Sequence, residues 1–310
     1  VSDENAETSL FSYYGGKGVT APRIVEHFPV GPTLYLEPFF GSGAVFFAVP
    51  QGTYRVQVIN DLNRGIVTFF KVLRERPDDL LRVCSLTPYA FDEQRACRNG
   101  EEDPEDELET ARRVWVRQSQ NFGGRNTPVA GWKRTHPKKT GGEPDTTLLK
   151  LQHFHAYARR MMQVEINNLD ALKLLDAYAG PEVFAYLDPP YHPDALGEGG
   201  TYQFEMDHAQ HVALLDKLEE LSAKGTKFAL SGYPSPLYDQ RLRGWRRIDY
   251  EVSVGSAAFA AEEKRKRTEV LWMNYPEHLE LRRNWSGTVQ AKSSKEKALL
   301  KHFKKAALVR

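Results

Sequence analysis

Val183-Phe184-Ala185-Tyr186-Leu187 is an apolar run that stops abruptly at Asp188-Pro189-Pro190-Tyr191. It mixes β-branched, aromatic and aliphatic residues without helical spacing, which predicts a fully buried strand of a parallel sheet. Two prolines with fixed φ and no N–H cannot continue a ladder. The chain must therefore leave the sheet as a stiff loop that presents Asp188 and Tyr191 at the strand's carboxyl end. In open α/β sheets that edge is where ligands bind.

The residue types in this loop suit one chemistry. The lone pair of an exocyclic amine on a nucleobase is delocalised into the ring, so the nitrogen must be drawn towards tetrahedral geometry before it can attack. Acceptors on its two N–H groups do this. The Asp188 carboxylate and the Pro189 carbonyl supply such acceptors, and the Asp188 charge offsets the positive charge that develops on nitrogen. Tyr191 adds a flat face on which an extruded base can stack. A proline-rich turn with a structural aspartate is the plainer alternative. Asp-Pro-Pro-Tyr resembles the catalytic motif of amino-methyltransferases that use S-adenosylmethionine, and the resemblance makes Asp188, Pro189, Pro190 and Tyr191 the catalytic candidates.

Three stretches nearer the amino end bear on a cofactor site. In Tyr13-Tyr14-Gly15-Gly16-Lys17 the glycines allow close backbone approach to a ligand and Lys17 offers a cation; a plain loop is the alternative. Leu34-Tyr35-Leu36 leads into Glu37-Pro38-Phe39-Phe40-Gly41-Ser42-Gly43 and then the small, apolar run from Ala44 to Val49. Strand, glycine-rich turn and helix start place a nucleoside over the sheet's carboxyl edge. The spacing is not Gly-x-Gly-x-x-Gly, which disfavours nicotinamide cofactors. Arg55 to Ile59 alternates as a second strand and delivers Asp61, 24 residues after Glu37. An acidic residue there either accepts from ribose hydroxyls or caps the next helix.

Taken in order, Tyr13 with Gly15-Gly16-Lys17, Glu37-Pro38-Phe39-x-Gly41-x-Gly43, Asn60-Asp61-x-Asn63 and Asp188-Pro-Pro-Tyr191 resemble the Dam-type N6-adenine DNA methyltransferases. The match covers roughly the first 75 residues and again about 165 to 275. The resemblance implies that Tyr13 and Lys17 hold the methionine end of S-adenosylmethionine and that the turn with Glu37, Pro38, Phe39, Gly41, Ser42 and Gly43 lies beneath it. It also implies that Asp61 binds the ribose and Asp170 contacts the adenine, beside Asp188 at the reacting end. Asp170 read by itself is a helix N-cap. Tyr13 departs from the tryptophan often found at its position but keeps an aromatic wall.

Between the two matching parts the apolar positions from Arg64 to about Leu86 fall at helical spacing and break at Pro77, which predicts two helices. The acidic residues 101 to 109 read as a solvated helix start rather than a metal site, and Thr110 to Gln120 as a helix around Trp115. From Asn121 to Gly142 the chain is rich in Gly, Pro, Arg and Lys around Trp132. The net charge of the whole chain is only +1, so any basic surface must be local. Arg125, Asn126, Trp132, Lys133, Arg134, Lys138 and Lys139 are the candidates for clamping a DNA backbone and reading base edges, with a surface loop as the alternative. The family keeps its target-recognition domain at this point of the chain. Leu148 to Val164 is predicted as one helix.

Beyond the central strand, His192 to Tyr202 reads as a lid, Phe204 to Lys224 as a helix, and Thr226 to Ser231 as a buried strand. Tyr250 to Val254 and Val270 to Met273 read as late strands, linked through Lys264-Arg265-Lys266-Arg267. Lys266 and Arg267 there engage DNA phosphates or belong to a solvated turn. The expected fold class is α/β: a Rossmann-like S-adenosylmethionine methyltransferase sheet with helices on both faces and an inserted, mainly helical target-recognition domain. Its boundaries are a flexible arm 1–8, a discontinuous catalytic domain 9–65 and 165–283, the insertion 66–164, and a basic tail 284–310.

The function expected from the resemblance is methyl transfer from S-adenosylmethionine, without a metal, to the N6 amine of a flipped-out adenine in double-stranded DNA. Cytosine N4 as the target amine, or a non-catalytic module that binds S-adenosylmethionine and DNA, are the alternatives. Two cysteines in 310 residues suit a reducing compartment. No apolar run approaches the ~18 residues of a membrane span, so a cytoplasmic protein without a membrane partner is expected. Protein partners and oligomeric state stay open.

Overall fold

The apolar runs form a seven-stranded sheet in the order β3-β2-β1-β4-β5-β7-β6, made of β1 (Leu34–Glu37), β2 (Val56–Asn60), β3 (Val164–Asn167), β4 (Val183–Leu187), β5 (Lys227–Gly232), β6 (Arg246–Val254) and β7 (Arg265–Met273). The structure is a computed structural model describing residues 10–11, 13, 15–98, 104–124, 130–135, 142–196, 205–254 and 265–277, the side chains of 195, 196, 253, 254, 265 and 266 excepted. The predicted arm 1–8, the tail 284–310, part of the lid, and Arg125, Asn126, Lys138 and Lys139 lie outside the described residues.

β3, β2, β1, β4 and β5 run parallel, and β7 enters antiparallel between β5 and β6. β1 pairs with β2 on one side and β4 on the other, Leu36 lying opposite both Val58 and Ala185. The strand order reverses between β1 and β4, so the loops after them diverge and leave a crevice at their carboxyl ends.

Successive residues on a strand face opposite ways. Tyr35, Ile59, Phe184, Tyr186, Ala229 and Leu271 enter the core on one face, and Leu36, Val58, Ala185, Leu187, Leu230 and Trp272 enter the other. The second face is covered by α9 (Ala171–Ala177), α11 (His208–Ala223) and α12 (Pro236–Arg241) through residues such as Leu175, Leu218 and Tyr238, and the short α10 (Pro193–Leu196) lies between α9 and α11 in the chain. Leu214, Leu218 and Leu221 of α11 are fully buried, each stabilising the fold by about 1.5–3 kcal/mol. Asp207 and Gln210 form a reciprocal capping box that fixes where this helix begins.

The first face is covered by α1 (Ala21–Val25), α2 (Ala44–Ala48), α3 (Arg64–Glu75), α6 (Glu107–Gln120) and α8 (Phe154–Met161). Phe69, Phe70, Trp115 and Phe154 share one core with Tyr35 and Phe184, so the helices of the 66–164 segment pack into the same core as the sheet. That segment also holds α4 (Pro77–Leu86), α5 (Phe91–Cys97) and α7 (Gly142–Leu151). Pro77 opens α4 as its first helical residue, where a missing N–H costs nothing.

Two predicted elements differ from the structure. The single helix expected over Leu148 to Val164 is α7 and α8, and β3 follows at Val164–Asn167. β3 is a short strand at the sheet's edge with one fully buried residue, so it carries no apolar run to betray it. Its place is set by pairing with β2. The cations expected in a link are also placed differently: Arg265, Lys266 and Arg267 lie within β7, paired with Val254, Ser253 and Val252.

Candidate active site

Apolar β1 and β2 end at polar residues, and those residues build the first wall. Asn60, at the last position of β2, donates to the Pro38 carbonyl at 2.9 Å and the Leu169 carbonyl at 3.0 Å and accepts from the Leu169 N–H at 2.8 Å. It fastens together the loops after β1, β2 and β3. Asp61 accepts from the Gly41 N–H at 2.7 Å and from the Asn63 N–H at 2.8 Å. Asn63, not Asp61, caps α3, accepting from the Gly65 and Ile66 N–H groups. The N-cap alternative for Asp61 is thereby removed. Asp170 does cap α9, accepting from Leu172 and Lys173.

The glycine-rich turn has a physical reason at two positions. Gly41 has φ +51°, and a Cβ there would lie 3.1 Å from the Tyr13 ring, so backbone and ring close on each other only without a side chain. Gly43, at φ +69°, is the N-cap of α2. Burial pushes the Asp61 carboxyl up to about 6 even though the Gly41 and Asn63 N–H groups pull it down. Burial also raises Glu37 well above the carboxylate range, against a 2.6 Å hydrogen bond from the Tyr35 hydroxyl and helped by the charges of Asp188 and Asp61.

The second wall is the loop after β4. Lys17, whose side chain is 3% exposed, donates to both oxygens of Asp188 at 2.8 and 2.9 Å, to the Tyr191 hydroxyl, and to the Gly15 carbonyl at 3.2 Å. Its ammonium lies 4.9 Å from the centre of the Tyr191 ring and 4.0 Å from Glu269 on β7. The Tyr191 hydroxyl also donates to Glu269 at 3.3 Å, and its ring packs 4.4 Å from the ring of Tyr233, which follows β5. Burial works against the Lys17 charge, yet the charges of Asp188, Glu269 and Tyr186 outweigh it and raise its pKa. Burial pushes Asp188 up to about 6, Lys17 pulling it down and Glu269 adding to the rise.

Between the walls lies a cavity of about 240 Å³. All four predicted catalytic residues line it, as do Tyr13, Gly15, Gly16, Lys17, Glu37, Pro38, Phe39, Gly41, Ser42, Asp61 and Asp170. Gly43 stands outside the wall, beneath the turn, where it starts α2. Sequence reasoning did not place Asn60, Tyr186, Leu62, Leu169, Met206 or Gln210 at the site, and all of them line the cavity. Asn60 left one signal, its place beside Asp61 in Asn60-Asp61-x-Asn63 at the end of β2. Leu62, Leu169 and Tyr186 adjoin the predicted Asp61, Asp170 and Asp188 along the chain, whereas Met206 and Gln210, at the start of α11, join the wall only through the tertiary fold.

The basic segment is anchored at its base. Asn121 and Trp132 form an isolated antiparallel bridge, and the Trp132 ring packs 4.8 Å from Tyr89 and 6.0 Å from Phe91. Lys133 is paired with the buried Glu143 at 2.7 Å, whereas Arg134 is exposed. Arg267 lies 5.5 Å from the centre of the Tyr233 ring. The side chain of Lys266 is outside the described residues.

The family model described as D12 class N6 adenine-specific DNA methyltransferase matches residues 13–253. The type II methyltransferase M1.LlaDCHI of Lactococcus lactis subsp. cremoris is 26% identical over 279 residues, covering 84% of this chain and 93% of its own. The type II methyltransferase M.MjaIII of Methanocaldococcus jannaschii is 23% identical over 246 residues, covering 72% of this chain and 83% of its own. A DNA adenine methylase of Serratia marcescens is 30% identical over 74 residues, 24% of this chain and 26% of its own.

Proposed function

Since this chain belongs to the D12 class N6 adenine-specific DNA methyltransferases and methylates adenine N6 in DNA, we propose that its chemistry runs in the cavity between the glycine-rich turn and the Asp188 loop. The observation that carries this reading is convergence: the Asp188 carboxylate, the Tyr191 ring, Asp61 and Gly41 line one cavity at the crevice between β1 and β4.

The residues present fit S-adenosylmethionine. Gly41 leaves room where a Cβ would meet Tyr13, and Asp61 keeps its carboxylate on the cavity wall, suited to ribose hydroxyls. Tyr13 and Gly15-Gly16 flank the end nearest Lys17, and Asp170 with Leu169 and Leu172 forms the wall for the adenine. Bound there, S-adenosylmethionine supplies an electrophilic methyl carried on a good leaving group. Positioning then does most of the catalysis, and no metal is called for.

On the substrate side, Asp188 and the Pro189 carbonyl accept the two N–H groups of a flipped-out adenine and draw its nitrogen lone pair out of conjugation. Asp188 stabilises the positive charge on that nitrogen. Pro190 keeps the loop stiff, and Tyr191 stacks on the base. The insertion 66–164 serves target recognition, with Trp132, Arg134 and the cations 125–139 on the DNA, and Lys266 and Arg267 on phosphates beside the cavity. Lys133, paired with Glu143, gives less to DNA than its charge suggests. Relatives named type II methyltransferases extend the proposal to a modification enzyme that reads a specific sequence.

Two measurements test the two ends of the cavity. Removing the ring in Tyr191→Ala weakens capture of the flipped base by about 1–3 kcal/mol, as on other stacking platforms. A 2-aminopurine at the target position reports it: its fluorescence rise on binding is reduced in the variant, and an undiminished rise contradicts the role. At the cofactor end, Asp61 must be ionised to accept two hydroxyls, and burial pushes its carboxyl up to about 6. Affinity for S-adenosylmethionine is therefore full above that pH and falls by up to about tenfold per unit below it. Calorimetry shows this loss in the wild type, and Asp61→Asn binds weakly with a flatter profile; the same pH dependence in both proteins removes Asp61 from the ribose.

A further inference from the structure

In the structure Lys17 donates to both oxygens of Asp188, at 2.8 and 2.9 Å. A carboxylate ion-paired at both oxygens has its charge already offset by the ammonium, so it polarises a substrate N–H and stabilises a developing cation less. Lys17 cannot simply withdraw into solvent, because its side chain is only 3% exposed and an unpaired buried charge is costly. It needs a second anion within reach.

Glu269 is that anion. Its side chain is 13% exposed, one oxygen lies 4.0 Å from the Lys17 ammonium, and the same oxygen accepts from the Tyr191 hydroxyl at 3.3 Å. Its backbone is fixed by β7, where Glu269 stands opposite Tyr250 of β6. A move of roughly 1 Å brings the ammonium from there into a charge-assisted hydrogen bond. Resting on the reading of Asp188 as acceptor for the target amine, we propose that Glu269 is a positioning residue that draws Lys17 off Asp188 when the amine arrives and steadies the Tyr191 ring through its hydroxyl.

The charged and titratable groups facing Asp188 are Lys17 from the amino-terminal loop, Glu37 from β1, Tyr186 from β4, Tyr191 from its own loop and Glu269 from β7. Burial raises the Asp188 pKa most, Lys17 lowers it and Glu269 adds to the rise, so the division of Lys17 between the two carboxylates shifts the pH at which Asp188 becomes an acceptor.

The test is Glu269→Gln, which keeps the size and the acceptor for Tyr191 but removes the charge, assayed as steady-state methyl transfer against pH. Lys17 then stays on Asp188. The expected result is a kcat about tenfold lower at little-changed KM for S-adenosylmethionine, with the acid limb of kcat moved down by about one pH unit. Glu269→Asp returns the limb towards the wild-type position, and in a Lys17→Met background Glu269→Gln costs no further kcat. A wild-type kcat and limb in Glu269→Gln overturns the proposal. So does a lower kcat with an unmoved limb that recurs in the Lys17→Met background, the mark of a structural role. Asp188→Ala assayed alongside separates the two readings: if it still transfers methyl, the Asp188 assignment itself is wrong; if it is inactive, failure of the Glu269 variants counts against Glu269 alone.

Discussion

Asp188→Ala lowers kcat for adenine methylation by on the order of a thousandfold, the scale of losing a preorganised charge at the atom where charge develops. The loss falls on chemistry because in the proposed mechanism the carboxylate both accepts an N–H and carries the charge that faces the nascent cation, and the neutral Pro189 carbonyl supplies only an acceptor. Binding of S-adenosylmethionine weakens far less, since Asp61, Gly41 and Tyr13 stand on the other wall and keep their geometry. In the wild type, Asp188 must be ionised to act, and burial has pushed its carboxyl up to about 6. The rate is therefore held above that pH and lost as pH falls through it. Single-turnover transfer of a labelled methyl group measures both effects; transfer at near wild-type rate in Asp188→Ala shows that another group does the work.

The largest stability effect is expected at a residue outside the cavity lining. In Gly43→Ala the new Cβ would sit 2.4 Å from the Phe40 ring and 2.8 Å from the Phe47 ring, at φ +69°. Neither ring is free to retreat. Phe40 packs edge-on against Phe70 at 4.9 Å, and Phe47 against Tyr157 at 4.3 Å. The left-handed backbone costs about 1–2 kcal/mol for a residue with a side chain, and overpacking adds about 1–3 kcal/mol. Urea unfolding should show a lower midpoint at unchanged slope, by about 2–5 kcal/mol in all. A loss below about 0.5 kcal/mol, ordinary for a surface change, would mean that α2 shifts freely, contrary to its packing. Gly41→Ala makes a contrast: its Cβ meets the Tyr13 ring at 3.1 Å on the cavity wall, so its cost falls on cofactor binding as well.

The two variants separate what was legible in the sequence from what was not. Val183 to Leu187 reads as a buried strand because both faces of the sheet are covered, so every position is apolar, and the prolines mark where it ends. Asp188, Tyr191, Asp61 and the Gly41 turn are legible for a related reason. Each lies directly after a strand, and the carboxyl ends of parallel strands share one edge. β3 was hidden because it is only four residues long, and its Val164-x-Ile166 alternation is too short to stand out from the helical spacing that precedes it. Glu269 was hidden in another way: among Arg265, Lys266 and Arg267 it reads as one more charge in a basic stretch, and only its pairing in β7 turns it towards Lys17.

By itself the sequence determined the strand ends, the loop chemistry carried on them and the order in which the chain visits them, because these depend on residues adjacent along the backbone. Which charges meet was decided by the tertiary structure alone. Lys17 and Asp188 are 171 residues apart and Tyr191 and Glu269 are 78 apart. Contacts of that range follow from strand order and register, and a pattern of neighbouring residues encodes neither.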